Sequence, residues 1–569
     1  MTARYPLSVA LMCLVTLLAA CAAPAAPSPA RFDSTAPAQP TAPKRVTAII
    51  QSVPTTVFNR FNPGSTQSGV DAIEGLLNAG LTTLDNKDEL RPQLAEAVPT
   101  IENGLWKLFP DGRMETSWII RPGVEWHDGA PFTSSDLAFT AQLGSDRELA
   151  VFGDPAYSVI ASVETPDSRT VVVKWTKPFI TADRMFSHLL AVPVARHLLD
   201  RPYADDKATF AELPYWYQQF VGTGPFKLRE VVEGSHLVVV ANDHYVLGRP
   251  KIDEIEVRFI PDANTLVTNV LAGGVDFVLG PRISLDLARQ ARDRWTEGSV
   301  SINTQGGMGL NIYPQFVNPT PPVVADVRFR RALIHATDRQ ALVDTLMGGV
   351  TAIAHSPVNP TDRSYQAIEG SIVRYPYDPA RSRQLLDELG YAKGADGSFA
   401  RGGATLAFET RAYAQTDIQP KTLAAVADDW QQLGVAVEQV IVPNHLVSDE
   451  QYRHTRPALE VLTVGSTINF TAFHTSRIPL PTNNFFGSNR SRYSSPDLDR
   501  LIDQYLVTVP LDERAQVLGQ IVHHMTDQLV VMGMFYTTTH ALISNRMTGV
   551  ASRGSVSTES GNAHEWDLR

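Results

Sequence analysis

The sequence predicts an α/β protein that contains more than one domain. Strand-like and helix-like hydrophobic patterns alternate around residues 254–279 and again around residues 406–442. A strand, a helix and a second strand in this order form the βαβ unit of parallel sheets. About 525 residues follow residue 44, whereas a single core stops growing at roughly 250–300 residues. We therefore expect two or three domains, interwoven because no second long linker interrupts the chain.

The first twenty residues have the composition of an export signal. Arg4 precedes an apolar stretch over residues 7–20, and the stretch ends in the tetrapeptide LAAC at Cys21. It is shorter than the roughly 20 apolar residues of a transmembrane helix and ends in a lipoprotein cleavage box. We expect residues 1–20 to be a signal peptide and the Cys21 thiol to carry a diacylglycerol. The alternative is an uncleaved anchor.

A flexible lipidated linker is expected over residues 21–44. It consists mostly of Ala, Pro, Ser and Thr, a composition that neither buries a core nor forms a helix. Besides Cys21 the chain has only Cys13, inside the signal, so the mature body has no thiol for a disulfide, a thiolate metal site or cysteine catalysis. The formal charge of −11 becomes −12 without Arg4, which disfavours nucleic-acid binding.

Turn and cap signals define the first elements of the folded body. Residues 105–109 and 114–120 flank a Pro-Asp-Gly turn at 110–112, which predicts a β-hairpin. Thr133 and Asp136 have the spacing of a capping box, so a helix is expected to begin there. Asp136 is thus assigned a structural role.

Two βαβ units follow along the chain. Residues 254–259 alternate between apolar and charged side chains, as a half-buried strand does. Asp262 then caps a helix, a Gly-Gly pair ends it, and residues 275–279 form the next strand. The later unit has strands at 406–410 and 435–442 with an amphipathic helix between them.

Enzymatic signatures are missing from the sequence. It has no HExxH, GxSxG or Walker motif, and the Gly-Thr-Gly of residues 222–224 lacks the third glycine of a dinucleotide fingerprint. We interpret His127 and Asp128 as a turn, because adjacent side chains point in different directions. His523 and His524 are adjacent on a helix and cannot share a metal on one face. The protein is therefore predicted not to be an enzyme, and a triad of distant residues is the alternative.

A basic cluster is formed by Arg328, Arg330 and Arg331. Three basic residues within four positions of a helix point to several faces, so they do not converge on one anion. We interpret the cluster as solvated surface at the start of a helix.

Six segments, taken in order, carry a family resemblance. They are Leu94-Ala95-Glu96, RPGVEWHDG at 121–129 with FTSSD at 132–136, GTGPF at 222–226, LAGGVD at 271–276, DVRFRRAL at 326–333 with Asp338-Arg339, and YSSPDLD at 493–499. In this order the chain resembles the family 5 extracellular solute-binding proteins, the large peptide and nickel receptors of ATP-driven importers. No single segment is specific to the family. The resemblance depends on the occurrence of all six in this order across residues 45–550.

The resemblance implies a two-lobed periplasmic-binding-protein fold of type II, in its large cluster C-like form, with an extra domain inserted in the first lobe. The first lobe is expected to comprise residues 45–62, 218–308 and 538–569. The inserted domain is expected at 63–217 and the second lobe at 309–537.

The implied function is that of a substrate-binding lipoprotein of an ABC importer. It captures a small solute by hinge closure and delivers it to the permease. The expected partners are a small-molecule or oligopeptide ligand, the permease and ATPase complex, and the membrane through the lipid anchor. We expect a monomer without cofactors, anchored at the periplasmic or extracellular face of the cytoplasmic membrane. The alternative is a sensory or scaffolding lipoprotein that uses the same fold without import.

The expected second-lobe binding segment departs from the family pattern. Peptide-binding members carry a tryptophan and an ammonium-pairing aspartate just before the stretch matching residues 493–499. Here residues 464–474 contain neither. An unpaired buried ammonium costs several kcal/mol, so a neutral or zwitterion-poor ligand is favoured unless an acid from the opposite lobe replaces the aspartate. The ligand is expected to be a small solute that is peptide-like, an opine or a saccharide. No metal cluster emerges, so a bare nickel ion is not expected.

The resemblance also selects candidate ligand-binding residues. The loop after the first strand borders the cleft in this family, and the chain crosses between the lobes near residue 308. Neutral donors and an aromatic face are available in the 464–474 segment. The structural alternatives are a glycine bend, a methionine filling the core, and a polar surface loop. The candidates are Phe58, Asn59, Phe61, Gly307, Met308, Asn311, Ser466, Thr467, Asn469 and Phe470.

Overall fold

The computed structural model describes most of the chain beyond the predicted linker. The described residues are 42–59, 69–146, 148–149, 155–304, 307–414, 417–447, 449–464, 469–551, 554 and 557–569. Residues 43–569 form one compact unit. The signal peptide and Cys21 lie outside the described residues, so cleavage and lipidation stay predictions. In the described ranges no helix is both long and apolar enough to span a membrane.

Strands and helices alternate along much of the chain, as expected for an α/β protein. The strands are β1 (Arg45–Ile50), β2 (Thr82–Leu84), β3 (Leu90–Pro92), β4 (Trp106–Leu108), β5 (Met114–Ile119), β6 (Ile160–Glu164), β7 (Thr170–Trp175), β8 (Phe226–Val232), β9 (His236–Ala241), β10 (Glu254–Phe259), β11 (Phe277–Val278), β12 (Gly298–Asn303), β13 (Gly309–Pro314), β14 (Ala392–Lys393), β15 (Phe399–Arg401), β16 (Ala404–Thr405), β17 (Ala407–Tyr413), β18 (Ala436–Val442), β19 (Leu459–Val464), β20 (Met532–Tyr536), β21 (Thr539–Ser544), β22 (Met547–Thr548) and β23 (Asp567–Leu568). The α-helices are α1 (Val70–Leu77), α2 (Ser134–Ser145), α3 (Arg196–Asp205), α4 (Ala263–Leu271), α5 (Leu285–Arg294), α6 (Val327–Ala336), α7 (Arg339–Leu346), α8 (Tyr365–Ile368), α9 (Pro379–Glu388), α10 (Ile418–Leu433), α11 (Glu450–His454), α12 (Pro496–Val507) and α13 (Leu511–Asp527).

Two large sheets organise the molecule. The first has the strand order β12-β21-β11-β1-β10-β9-β8, and the second has the order β18-β17-β19-β13-β20. The chain passes from the first sheet to the second between β12 and β13, and it returns between β20 and β21. Each sheet therefore forms one lobe, and two crossing segments join the lobes.

Both predicted βαβ units are confirmed. Strand β1 lies between β10 and β11 and pairs in parallel with each, while β17 and β18 pair in parallel around α10. Asp262 caps α4 by accepting a hydrogen bond from the Thr265 amide at 2.8 Å. The strand predicted at 275–279 is shorter, since β11 covers only two residues.

The predicted hairpin and capping box are also confirmed. Strands β4 and β5 pair antiparallel, and the turn glycine, Gly112, has a φ of 82°, which favours glycine. The Asp136 carboxylate accepts a hydrogen bond from the Thr133 amide at 2.8 Å at the start of α2. The hairpin and the capping box could be predicted from the sequence because the residues that form a turn or a helix cap are only a few positions apart.

Hydrophobic packing differs between the lobes. One continuous core joins β1 and β10 of the first sheet to the four-stranded sheet β4-β5-β7-β6, and it includes Trp118, Trp175 and Trp566. The second lobe has a separate core around Trp430, whose indole donates to Thr337 Oγ1 at 3.0 Å. Separate cores leave the two lobes joined mainly by the crossing segments and by surface contacts.

The interpretation of the arginine cluster as solvated surface was wrong for Arg330. Its side chain is 2% exposed and donates to the carbonyl oxygens of Val324 and Gln528, at 2.9 and 2.7 Å. Arg328 is exposed and pairs with Asp326 at 2.7 Å. The sequence pattern could not reveal this, because the segment that covers Arg330 lies about 200 residues away in the chain.

Candidate functional site

The carboxyl ends of both sheets face the crossing segments. In the first sheet β1, β11 and β12 run in the same direction. The loop 51–59, which follows β1, therefore lies at the same edge of the sheet as the end of β12, where the chain leaves for the second sheet. In the second sheet β17, β18 and β19 end at the edge where β13 begins. Ligands of α/β sheets bind outside the carboxyl ends of the strands. This region between the facing edges, here called the cleft, is the candidate site.

The two crossing segments are hydrogen-bonded to each other. The Thr537 amide donates to the Met308 carbonyl at 2.8 Å, and the Met308 amide donates to Thr537 Oγ1 at 3.1 Å. The Asn359 side chain donates to the Gly307 carbonyl at 3.2 Å. A Cβ on Gly307 would lie 1.9 Å from the Thr537 carbonyl oxygen. Gly307 is therefore required by the close approach of the two segments.

The first-lobe candidates are held by local packing. Phe58 is 2% exposed, and its ring centroid lies 4.8 Å from that of Trp216. Asn59 is half-buried, and its amide donates to the Glu74 carboxylate at 2.9 Å. Phe61 lies outside the described residues. In this conformation the Phe58 ring fills the core beside the cleft.

Of the second-lobe candidates that the structure describes, Asn469 is exposed, whereas Phe470 and Asn311 are buried. Asn469 is exposed and accepts a hydrogen bond from the Thr471 hydroxyl. Phe470 is 3% exposed and packs edge-to-face on Tyr505 at 5.9 Å. Asn311 is buried at the start of β13 and donates to the Gly309 carbonyl at 3.2 Å. Ser466 and Thr467 lie outside the described residues. The roles of all ten residues in ligand binding stay predictions.

Contacts between the lobes flank the cleft, and the sequence did not reveal them. Lys421 Nζ of α10 lies 3.5 Å from Asp286 Oδ2 of α5, and Arg363 pairs with Glu89. The Ile180 amide donates to the Leu506 carbonyl at 3.1 Å. Each pair is separated by more than 100 residues, so no local pattern brings its members together.

Comparison with known proteins identifies the family. The family profile described as bacterial extracellular solute-binding proteins, family 5 Middle, matches residues 89–483. The chain belongs to this family. The oligopeptide-binding protein AppA of Bacillus subtilis is 24% identical over 503 residues, which cover 87% of this chain and 86% of AppA. Putative peptide-binding proteins of ABC transporters from Brucella are 30% identical over 273 residues, so the match spans 48% of their length and of this chain.

Solved structures show the same fold. An oligopeptide-binding protein from Thermus thermophilus, complexed with a pentapeptide, superposes with a TM-score of 0.77 at 21% identity, covering 92% of this chain and 96% of the other. NikZ from Campylobacter jejuni, in complex with Ni(L-His), has a TM-score of 0.75 at 19% identity, covering 92% and 99%. The prediction of a two-lobed α/β fold is confirmed.

Asp183 of this family 5 protein lies in the contact between the segment after β7 and helix α13. Burial raises the pKa of its carboxyl to about 6, against the opposing charges of Arg184 and Arg514. Among the described residues its Oδ1 has no hydrogen-bond partner. Asp183 is thus a carboxyl group with a raised pKa that lies near Arg514 of helix α13.

The pair His127 and Asp128 does not form a catalytic dyad in this solute-binding protein. The Gly222 amide donates to His127 Nδ1 at 3.2 Å, and Nε2 lies 3.1 Å from the Gly224 carbonyl oxygen. Burial lowers the pKa of His127 to about 4, so the ring is neutral. Asp128 instead contacts His197 at 2.7 Å. The described ranges contain no group of three or more His, Cys, Asp or Glu that could hold a metal ion.

Proposed function

We propose that the protein captures a small organic solute outside the cytoplasm and delivers it to an ABC importer. The observation that carries the proposal is the cleft itself: two sheets present their carboxyl ends to each other across a pair of hydrogen-bonded crossing segments. A ligand that contacts both lobes favours the closed state by its differential affinity. Family membership and the similarity to AppA support this role.

The proposal includes the domain boundaries and the anchor. The first lobe comprises residues 45–62, 218–308 and 538–569, the inserted domain 63–217, and the second lobe 309–537. Residues 1–20 are removed, and the lipidated Cys21 tethers a monomer to the membrane through a linker over residues 21–44.

We further propose that the ligand is a small solute without a free primary ammonium group: an N-blocked peptide-like compound, an opine or a saccharide. The segment 464–474 carries no carboxylate. Near it, the Asp499 carboxylate accepts a hydrogen bond from the Thr475 amide at 2.8 Å, so this acid holds the loop. A free peptide ammonium in the closed cleft would lack a fixed counter-charge there.

Calorimetry tests the ligand class. Free dipeptides, their N-acetylated forms and an oligosaccharide mixture are titrated into the wild type and into Asn469→Asp, a change that adds a carboxylate to this loop. We expect blocked or neutral compounds to bind the wild type and free peptides to gain affinity in the variant. Micromolar binding of free dipeptides to the wild type would contradict the proposed ligand class.

Cell experiments test transport and anchoring separately. Cys21→Ser should release the protein from the membrane fraction, because that thiol is the acyl acceptor. Deletion of the gene should abolish uptake of whichever ligand mass spectrometry finds in the protein purified from native cells. Unchanged uptake with saturable binding would replace import by the sensory or scaffolding alternative.

A further inference from the structure

The second lobe contains a small cavity beside β13, lined by both apolar and polar residues. Its lining includes Asn311 of β13, Gly533 of β20, Arg339 of α7, Thr526 of α13 and the side chain of His355. The space open to the centre of a water molecule is about 20 Å³. Such a volume holds one water or one monatomic ion and excludes an organic solute.

Arg339 supplies a buried positive charge to this cavity. It is 4% exposed and donates to the carbonyl oxygens of Gly533 and Tyr375, at 3.0 and 2.5 Å. Within the described part of the chain no carboxylate oxygen lies within 4 Å of its guanidinium. Burial lowers the pKa of Arg339 to about 10, so the group stays charged at neutral pH. A buried cation without a counter-charge is costly.

The other polar side chains in the described lining of the cavity carry no negative charge. Burial, together with Arg339 and Arg374, lowers the pKa of His355 to about 4, so its ring is neutral and keeps one N–H. Its buried Nδ1 has no hydrogen-bond partner among the described residues. Among the residues that the structure describes, no Asp or Glu lines the cavity. The electrostatic surroundings therefore favour an anion over a cation.

We propose that this cavity binds one small inorganic anion of the halide class, held by the Arg339 guanidinium and a ring N–H of His355. The anion supplies the counter-charge that the described residues do not provide to Arg339. It also links α7 to β13 and β20, the two strands that adjoin the crossing segments. Asn311 is also a candidate ligand-binding residue of the cleft, but the anion is tested without the solute, so the proposal does not depend on the identity of the solute.

Crystals of the Cys21→Ser protein grown in bromide test the site directly. We expect an anomalous peak within about 3.5 Å of the Arg339 guanidinium. The thermal midpoint should also be about 1–3 °C higher in sodium chloride than in sodium gluconate at equal ionic strength. A water peak without anomalous signal would overturn the proposal.

Variants distinguish specific binding from general salt effects. Arg339→Met should lose the chloride-dependent rise. Arg330→Met is the matched control, because Arg330 is equally buried, bonds to two carbonyls and lines no part of this cavity; it should keep the rise. If Arg339→Met does not fold, Val373→Ile serves instead, since its added methyl group occupies the cavity. A chloride response that survives in Val373→Ile or Arg339→Met contradicts the proposed site.

Discussion

The two lobes place similar sheets around the same cleft but bury different chemistry. The first sheet and the inserted four-stranded sheet share one apolar core rich in tryptophan. The second sheet carries Glu460 in its central strand β19, 0% exposed, with Arg456 and Arg490 at 3.6 and 3.1 Å. Tyr413 also donates to Glu460. Apolar packing tolerates exchange among similar shapes, whereas a buried ion cluster depends on every partner.

Neutralising Glu460 should have the largest effect. Burial works to raise the pKa of Glu460, but Arg490 and Arg456 lower it below its ordinary value, so the group is a carboxylate in the folded protein. Glu460→Gln leaves buried arginines without a counter-charge and should destabilise the second lobe by about 3–5 kcal/mol. Denaturant unfolding measures this loss of stability.

The control variant is Glu256→Gln, which removes a half-exposed ion pair with Arg258 in the first lobe and should cost less than about 1 kcal/mol. An equal loss of stability in Glu460→Gln and Glu256→Gln would contradict the proposed difference between the buried ion cluster and the exposed ion pair.

Asp183 should have the opposite effect on stability, because partial burial raises the pKa of its carboxyl and the charges of Arg184 and Arg514 do not offset this. Its folded pKa of about 6 lies above the ordinary value of 3.8. The folded state therefore binds more protons, and stability should fall as pH rises from about 4 to about 6. Asp183→Asn should remove this slope and stabilise the protein at pH 7.5 by up to about 3 kcal/mol.

The control for Asp183 is Asp146. Hydrogen bonds from Lys207 and Tyr203 lower the pKa of Asp146 to about 2, so this acid favours folding at neutral pH. Asp146→Asn should therefore lower stability at pH 7.5. Thermal unfolding across pH 4 to 8 measures both variants. The same pH dependence of stability between pH 4 and 6 in the wild type and in Asp183→Asn would contradict the assignment.

A side chain at Gly307 should disturb the junction that joins the two lobes. Gly307→Ala places a Cβ against the Thr537 carbonyl and should cost about 1–3 kcal/mol through displacement of the crossing segments. Small-angle scattering with and without ligand should show impaired closure. Gly370→Ala is the control, since nothing lies within 4 Å of its added Cβ. Normal closure in Gly307→Ala would show that the junction adapts.

The ion pair between Lys421 and Asp286 should have the smallest effect. Both side chains are exposed, so Lys421→Ala should shift the balance between open and closed lobes by about 0.2–1 kcal/mol, less at high salt. Fluorescence transfer between labels on the lobes measures the shift. Lys174→Ala removes a pair inside the inserted sheet and should not change the balance.

Local chemistry made much of the fold predictable. The hairpin around Gly112, the capping box of Asp136 and the cap of Asp262 depend on residues a few positions apart, so sequence patterns located them. The crossing at residue 308 was expected from the resemblance, and there the chain does pass between the two sheets. Periodicity marked the strands and helices of both βαβ units, because each buries one face.

The sequence by itself determined the α/β class, the order of the elements and the lack of a carboxylate in residues 464–474. Only the tertiary structure decided that Phe58 and Phe470 are packed in the cores beside the cleft. It also decided that Arg330 and Arg339 are buried. Only in the folded chain does Glu460 form ion pairs with two arginines, and Lys421 form one with Asp286. Burial and ion pairing depend on segments brought together over long chain distances, and no spacing along the chain encodes those encounters.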